Sequence, residues 1–336
     1  MAKNRVTITD IAQEAKVSKQ TVSRVINNKD DVSDETREQI QAIIRRRGYR
    51  PNSIARNLAF RRSVYLGLVF PNVDIPLFVD VIRGVEHVAN QNEYHILLKE
   101  AGNEGTKEEQ VLTALEDFRV DGVIMVGPLM PTNALATLLN SFEAATLINV
   151  PDVDTLPDHV TTINVDSYAA MAQLTEYLVQ KGRRRFAYLN GPVSFPAVAR
   201  KQAIVDTLSQ YGLQLAEDHV LRGHYTPEFG YEATKTLLTR FPDIDTILCF
   251  DDRMAIGALK ACADLGRKIP DEIAIAGAHE IPFSSFTIPT LTTISVPRFE
   301  MGIVAAESVF DRLNNKPTEK IISIKPEIIF RESTPL

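Results

Sequence analysis

Two sets of side chains in this sequence have types and spacing that could do chemistry. The first lies in TDIAQEAKVSKQTVSRVIN, residues 9–27, where Ser18, Lys19, Gln20, Thr21, Ser23, Arg24 and Asn27 are grouped within ten positions. Lys or Arg can donate to O6 and N7 of a guanine, Gln can pair with an adenine edge, and hydroxyls with backbone N–H groups can hold phosphates. The second is Asp251-Asp252, adjacent carboxylates after the apolar run TILCF. An enzyme could use them as an acid/base or metal-binding pair. They also suit a ligand's hydrogen-bond acceptor beside a helix start, with Asp252 placed to cap MAIGALKA. No GxGxxG, GxxxxGK[ST], GxSxG or HExxH occurs, so a nucleotide cradle, a nucleophile elbow and a zinc protease helix are unsupported, and no catalytic or metal residue and no cofactor is expected. Cys249 and Cys262 form no CxxC and read as small apolar core residues.

The elements that must position the first set follow from periodicity. Thr9 is expected to cap a helix that buries Ile11, Ala12 and Ala15. Val17-Ser18 breaks the pattern, and Ser18 caps a second helix. In that helix Val22, Val25 and Ile26 fall three and four apart and point inward, which leaves Lys19, Gln20, Ser23, Arg24 and Asn27 outside. Two helices joined by so short a turn form a helix-turn-helix, whose second helix presents its N-terminal residues to the major groove of DNA. Ser33 caps a third helix that buries Ile40, Ile43 and Ile44, ends in Arg45-Arg46-Arg47 and is closed by Gly48. The arginine run serves either as charge compensation at the helix end or as phosphate contacts. After Pro51, SIARNLAF makes a helix of about two turns, marginal by itself in water.

From Val64 the pattern becomes strands alternating with helices: VYLGLVFP, HILLKEA, DGVIMVG and TLINV are separated by helical segments, and a second set starts at TTINV and runs through RFAYLNG, HVLRGHY, TILCF and IAIAGA. Such alternation predicts parallel sheets with right-handed crossovers, and hence an α/β body of two doubly wound lobes with a shared cleft at the strand ends. LTTISVP, the helix FEMGIVAAESVFDRL, IISIKP and EIIFRES come after the second lobe is complete.

The formal charge of −6 divides unevenly. Residues 1–62 hold fourteen Lys and Arg against seven Asp and Glu, a net +7, while the rest holds 23 basic against 36 acidic residues, a net −13. A basic head concentrates phosphate attraction at one end, and an acidic body discourages lying along the duplex. No apolar run approaches the ~20 residues that span a bilayer, and MAKNRVTITD lacks the apolar core of a secretory signal, so a cytoplasmic protein is expected.

ITDIAQEAKVSKQTVSRVIN, with VSDETREQI, GYRPNSIARNLA and the two lobes that follow, resembles the lactose-repressor (LacI/GalR) family over essentially the whole chain. The resemblance implies a helix-turn-helix head at 1–50, a hinge helix and linker at 51–62, a first lobe at 63–162 plus 294–322 that also forms the dimer interface, and a second at 163–293 plus 323–336. The helix after Pro297 then returns to the first lobe. It implies DNA contacts at Thr7, Thr36, Asn52, Ala55 and Leu58 as well as on the second helix, with Leu58 as a minor-groove wedge; packing of Leu58 on the body is the alternative. It implies a pseudo-palindromic operator bound by a homodimer, and a small carbohydrate-derived effector held by Leu77, Phe78, Asp166, Arg200, Tyr225, Asp251 and His279.

Several of these positions depart from the family pattern. Asp251-Asp252 replaces the usual Asn-Asp, Ala278-His279-Glu280 the usual Phe-Asp-Asp, and Ile75-Pro76-Leu77-Phe78 the usual Asn-Pro-Phe-Phe. Loss of the acid at His279 argues against a plain neutral sugar; Arg200 favours an anion and Asp251 opposes one. RESTPL follows the last strand without a heptad run, which favours a dimer over a zipper-joined tetramer. A sugar-binding transport receptor and a doubly wound enzyme are the rival readings.

Overall fold

A computed structural model describes residues 6–26, 29, 31–49, 63–71, 77–102, 105–151, 153–192 and 194–335. The expected hinge helix, with Asn52, Ala55 and Leu58, lies outside these residues, as does Asn27. The chain divides into two compact units, Met1–Val64 and Tyr65–Leu336.

In the first unit, α1 (Ile8–Ala15), α2 (Lys19–Ile26) and α3 (Asp34–Arg47) enclose a small core of Ile11, Ala12, Ala15, Val22, Val25, Ile40 and Ile43. The cap of α1 is Thr7 and not Thr9: Thr7 Oγ1 accepts from the Asp10 N–H, and the Asp10 carboxylate accepts from the Thr7 N–H at 2.8 Å. This capping box needs an acid three residues on, which Thr7 has and Thr9 lacks. Ser18 caps α2 by accepting from Thr21 N at 3.0 Å. Lys16 between them is left-handed, at φ 55°, which turns the chain sharply enough for α2 to cross α1. Ser33 caps α3 and left-handed Gly48 closes it, as the sequence predicts.

The second unit holds two six-stranded sheets. In chain order come β1 (Tyr65–Phe70), α4 (Leu77–Gln91), β2 (His95–Glu100), α5 (Gly105–Asp117), β3 (Gly122–Val126), α6 (Thr132–Leu139), β4 (Ala144–Ile148) and β5 (Val160–Val165). Next are α7 (Ser167–Gln180), β6 (Phe186–Asn190), α8 (Phe195–Gln210), β7 (Val220–Arg222), α9 (Pro227–Arg240), β8 (Thr246–Cys249), α10 (Asp252–Asp264) and β9 (Ala274–Ala278). The chain ends with β10 (Thr292–Ser295), α11 (Arg298–Leu313), β11 (Ile321–Ile324) and β12 (Glu327–Ile329). Strand orders are β11-β5-β4-β3-β1-β2 and β12-β10-β9-β8-β6-β7, all parallel except the β10–β12 pair. Cys249 and Cys262 are buried and unpaired in the second core. Among the described residues no helix is long and apolar enough to cross a membrane.

This topology corrects the expected boundaries. TTINV belongs to β5 of the first sheet, so the chain leaves that lobe at Asp166, not at 162; LTTISVP is β10 of the second sheet, and the return falls at Val296-Pro297, not at 293. IISIKP is β11 of the first sheet, and the last crossing is at Lys325-Pro326. The second lobe is therefore not complete at IAIAGA, and EIIFRES closes it as an antiparallel edge. An apolar strand reads alike in either sheet, so each misplaced boundary cut a strand that is only assigned by its hydrogen-bonded neighbour. The helix after Pro297 does pack in the first lobe, on α4, β3 and β4. The crossing of α4 and α11 is close: a Cβ on Gly84 would lie 2.1 Å from the Phe299 carbonyl oxygen, and one on Gly302 2.2 Å from that of Val81. The second lobe repeats this device between α9 and α10 through Gly230 and Gly257.

Candidate functional sites

On α2, Lys19, Gln20 and Arg24 are exposed, while Val22 and Val25 beneath them are buried. Arg24 Nη1 pairs with Asp31 at 3.0 Å, both side chains more than half exposed. So exposed a pair is worth little and leaves Arg24 available to another acceptor. Thr21 and Thr36 keep their hydroxyls against their capping serines, at 2.9 Å in each case, and Thr7 is held in its capping box. Ser23 lies half-buried on the same helix. Neither reading of the arginine run is complete: Arg46 and Arg47 both pair with Glu14 of α1, fastening α3 to the first helix, and hold its carboxyl below the usual range, while Arg45 is exposed.

In the body, a cavity of about 310 Å³ opens between the lobes, bounded by the ends of β3, β4 and β5 on one side and of β6, β8 and β9 on the other. Phe78, Arg200, Tyr225, Asp251 and His279 line it together. Asp166 does not: it is exposed at the first crossing and caps α7, accepting from Ala169 N at 2.9 Å. Leu77 opens α4, and its side chain lies outside those described.

Arg200, 2% exposed, projects from α8. Its Nη1 donates to the Phe250 carbonyl oxygen at 2.6 Å, Nη2 donates to His279 Nε2 at 3.1 Å, and the guanidinium lies over the Phe250 ring. A guanidinium has no acceptor, so Nε2 accepts and the His279 proton sits on Nδ1. Burial, followed by the charges of Arg200, Arg298 and Arg253, pushes the His279 pKa well below 6.5, so the ring is neutral. Its backbone is left-handed, with φ 93°. Tyr225 stacks on Phe250, with centroids 5.2 Å apart, and fits because Gly191 has no Cβ; one there would meet the Tyr225 ring at 2.4 Å.

The adjacent acids have separate tasks, and the helix cap is Asp251, not Asp252. Asp251 Oδ1 accepts from Met254 N at 2.9 Å and Oδ2 from Arg253 Nε at 3.0 Å. Asp252 is the first residue of α10 and turns inward, accepting from Thr293 Oγ1, Ser284 Oγ and Ile281 N at 2.6, 2.7 and 2.9 Å. It ties the turn after His279 to the second sheet, and burial pushes its pKa up to about 6. Only tertiary packing separates these roles, since either acid could cap by sequence.

The cavity also collects Asn149, Ser167, Ser194, Arg253 and Arg298, which motif matching did not select. Arg298 begins α11 and donates to Asp80 of α4 at 3.1 Å and to the Glu280 carbonyl of the second lobe at 3.2 Å, so it bridges the lobes. A signal was available: Arg253 and Arg298 stand in first turns, where the helix dipole disfavours a cation, so each needs a partner elsewhere.

Residues 7–52 match the family of bacterial regulatory proteins, lacI family, and residues 63–333 match the periplasmic binding proteins and sugar binding domain of LacI family. The chain belongs to the LacI family. It is a DNA-binding transcriptional regulator of that family. It is 30% identical over 325 residues to catabolite control protein A of Staphylococcus epidermidis, covering 96% of this chain and 97% of that protein. It is 31% identical over 329 residues to the HTH-type transcriptional repressor PurR of Histophilus somni, covering 97% and 98%. A solved lac repressor dimer, bound to operator and the anti-inducer ONPF, superposes with a TM-score of 0.89 over 98% of this chain and 99% of that one; at 24% identity it shares the fold.

Proposed function

We propose that this LacI-family chain is a repressor that binds a pseudo-palindromic operator as a homodimer and is switched by a small effector in the cleft between its lobes. The observation that carries the DNA half is the exposed row Lys19, Gln20 and Arg24 on a helix whose other face is anchored in the head's core. Base contacts fall to these three, phosphate contacts to the N-terminal turn of α2 with Ser18 and Thr21, and the wedge to Leu58. The relatives named as a repressor and as a dimer on operator support repression and dimerisation. So does the exposed apolar group Phe283, Phe286 and Ile288, 67%, 81% and 96% exposed on the second lobe, a patch that a second copy would cover.

The effector half rests on the convergence of Phe78, Arg200, Tyr225, Asp251 and His279 on one cavity. A ligand there that prefers one arrangement of the lobes biases the two heads and hence the spacing of their DNA-reading helices. Coupling is reciprocal, so an effector that weakens operator binding is itself bound more weakly by the operator complex. The protein acts in the cytoplasm by binding and not by turnover, with Asp251 and Asp252 holding structure in place of a catalytic pair. The test is sequence-specific binding to genomic fragments by the full chain and by a chain lacking residues 1–62. Loss of specific binding on deletion is expected; unchanged binding overturns the reading.

A further inference from the structure

The described lining of the cavity is rich in donors and carries more cationic than anionic side chains. Among the described residues, Arg200 Nε, Arg253 Nη2 and Arg298 Nη1 are buried without a hydrogen-bond partner, and all three side chains line the cavity. His279 adds an Nδ1–H, since its Nε2 is taken by Arg200. Among the described lining residues the one carboxylate is that of Asp251, which accepts from Met254 N and from Arg253 Nε. Its ion pair with Arg253 offsets the Asp251 charge, and the described lining then holds three guanidiniums against one carboxylate. Asp80 holds Arg298 from outside the lining, and Asp252 lies behind it with its oxygens turned to Thr293, Ser284 and Ile281. Of the three guanidiniums in the described lining, Arg253 and Arg298 contact carboxylates, whereas Arg200 contacts a carbonyl and a neutral imidazole and feels Asp251 and Asp252 without touching them. A buried charge with no carboxylate in contact is costly to maintain and attracts one of opposite sign.

A neutral polyol can accept from these donors but brings no charge to balance the excess of guanidiniums over carboxylates in the described lining. A doubly charged phosphate brings more charge than Arg200, the one guanidinium of the described lining without a carboxylate in contact. Phe78, Val81, Leu129, Tyr225, Phe250 and Met301 wall the remaining space with apolar surface.

We infer that the cavity binds a small monocarboxylate with a compact apolar body, its carboxylate seated on Arg200 and its body between Phe78, Tyr225 and Phe250. This rests on the cleft being the effector site, and it names the effector's chemical class.

The test uses the full chain and paired probes at millimolar concentration: benzoate, cyclohexanecarboxylate and 3-methylbutanoate, each against its primary amide, with glucose and glucose 6-phosphate alongside. Ligands that bind only the folded state raise the melting temperature, and calorimetry then gives affinity. At least one acid is expected to stabilise the protein while its amide does not, and Arg200→Gln is expected to weaken that acid at least tenfold. Because loss of a buried arginine can unfold the lobe, His279→Asp is the second variant. It places a carboxylate beside Arg200, at a left-handed position where Asp is tolerated, and is also expected to weaken the acid at least tenfold. Equal response to acid and amide, preference for glucose or glucose 6-phosphate, no response to any of the three acids, or undiminished binding by folded variants overturns the inference. Sequence-specific DNA binding by the same preparation is measured in parallel: if it is intact, only the ligand class has failed, and if it is absent the regulator reading fails as well.

Discussion

Asp252→Asn should change how stability depends on pH, by an amount the structure sets. The carboxylate is 0% exposed and accepts three hydrogen bonds, yet burial dominates and raises its pKa from 3.8 to about 6, with the charge of Asp251 adding to the rise and the three donors opposing it. A raised acid pKa means that the unfolded chain gives up its proton first as pH rises. The folded state then bears a penalty that is absent below the unfolded value, grows across the window from 3.8 to about 6, and is complete above it. At 1.36 kcal/mol per unit, a rise of about two units corresponds to about 3 kcal/mol at neutral pH. Asparagine does not titrate, so the difference in unfolding free energy between wild type and variant reports the site together with its coupling to Asp251, the remaining groups cancelling. Between pH 7 and pH 4.5 that difference should move by about 2 kcal/mol in favour of wild type. The chain has no Trp, so urea unfolding is best followed by far-UV circular dichroism. A difference that is flat with pH would mean that Asp252 titrates like an exposed acid. A difference of opposite slope would mean that its donors outweigh burial. The first outcome refutes the assignment of Asp252 as the buried fastening of the turn that carries His279, and the second refutes the dominance of burial over its three donors.

Arg24→Ala should lose about 1 to 3 kcal/mol at the cognate operator and much less on unrelated DNA if Arg24 makes a bidentate guanine contact, and quantitative binding curves on both sequences distinguish this from a phosphate contact, which would weaken them equally. Gly84→Ala should destabilise the first lobe by about 1 to 3 kcal/mol, because the new methyl meets the backbone of α11 and cannot be relieved by a side-chain rotation; an unchanged denaturation midpoint would show that the two helices separate at no cost.

The sequence by itself determined the head almost completely. Its three helices and core rest on local signals, namely caps, apolar spacing and a terminal glycine, that act within one or two turns, and the one misplaced cap, Thr9 for Thr7, was a choice between neighbours decided by the acid at Asp10. Alternating strands and helices likewise determined an α/β body with parallel sheets. What only the tertiary structure decided is which strand joins which sheet and which polar groups share a partner. Val160–Val165, Thr292–Ser295 and Ile321–Ile324 are ordinary apolar strands by pattern, and their assignment depends on hydrogen bonds to strands far along the chain. Asp251 and Asp252 are chemically identical and adjacent, and one faces the cavity while the other faces the second sheet because successive residues at a helix start point in different directions. Arg200, Arg253 and Arg298 come from three helices spread over about a hundred positions, and their convergence, with one left without a carboxylate in contact, exists only once both sheets are closed around the cleft.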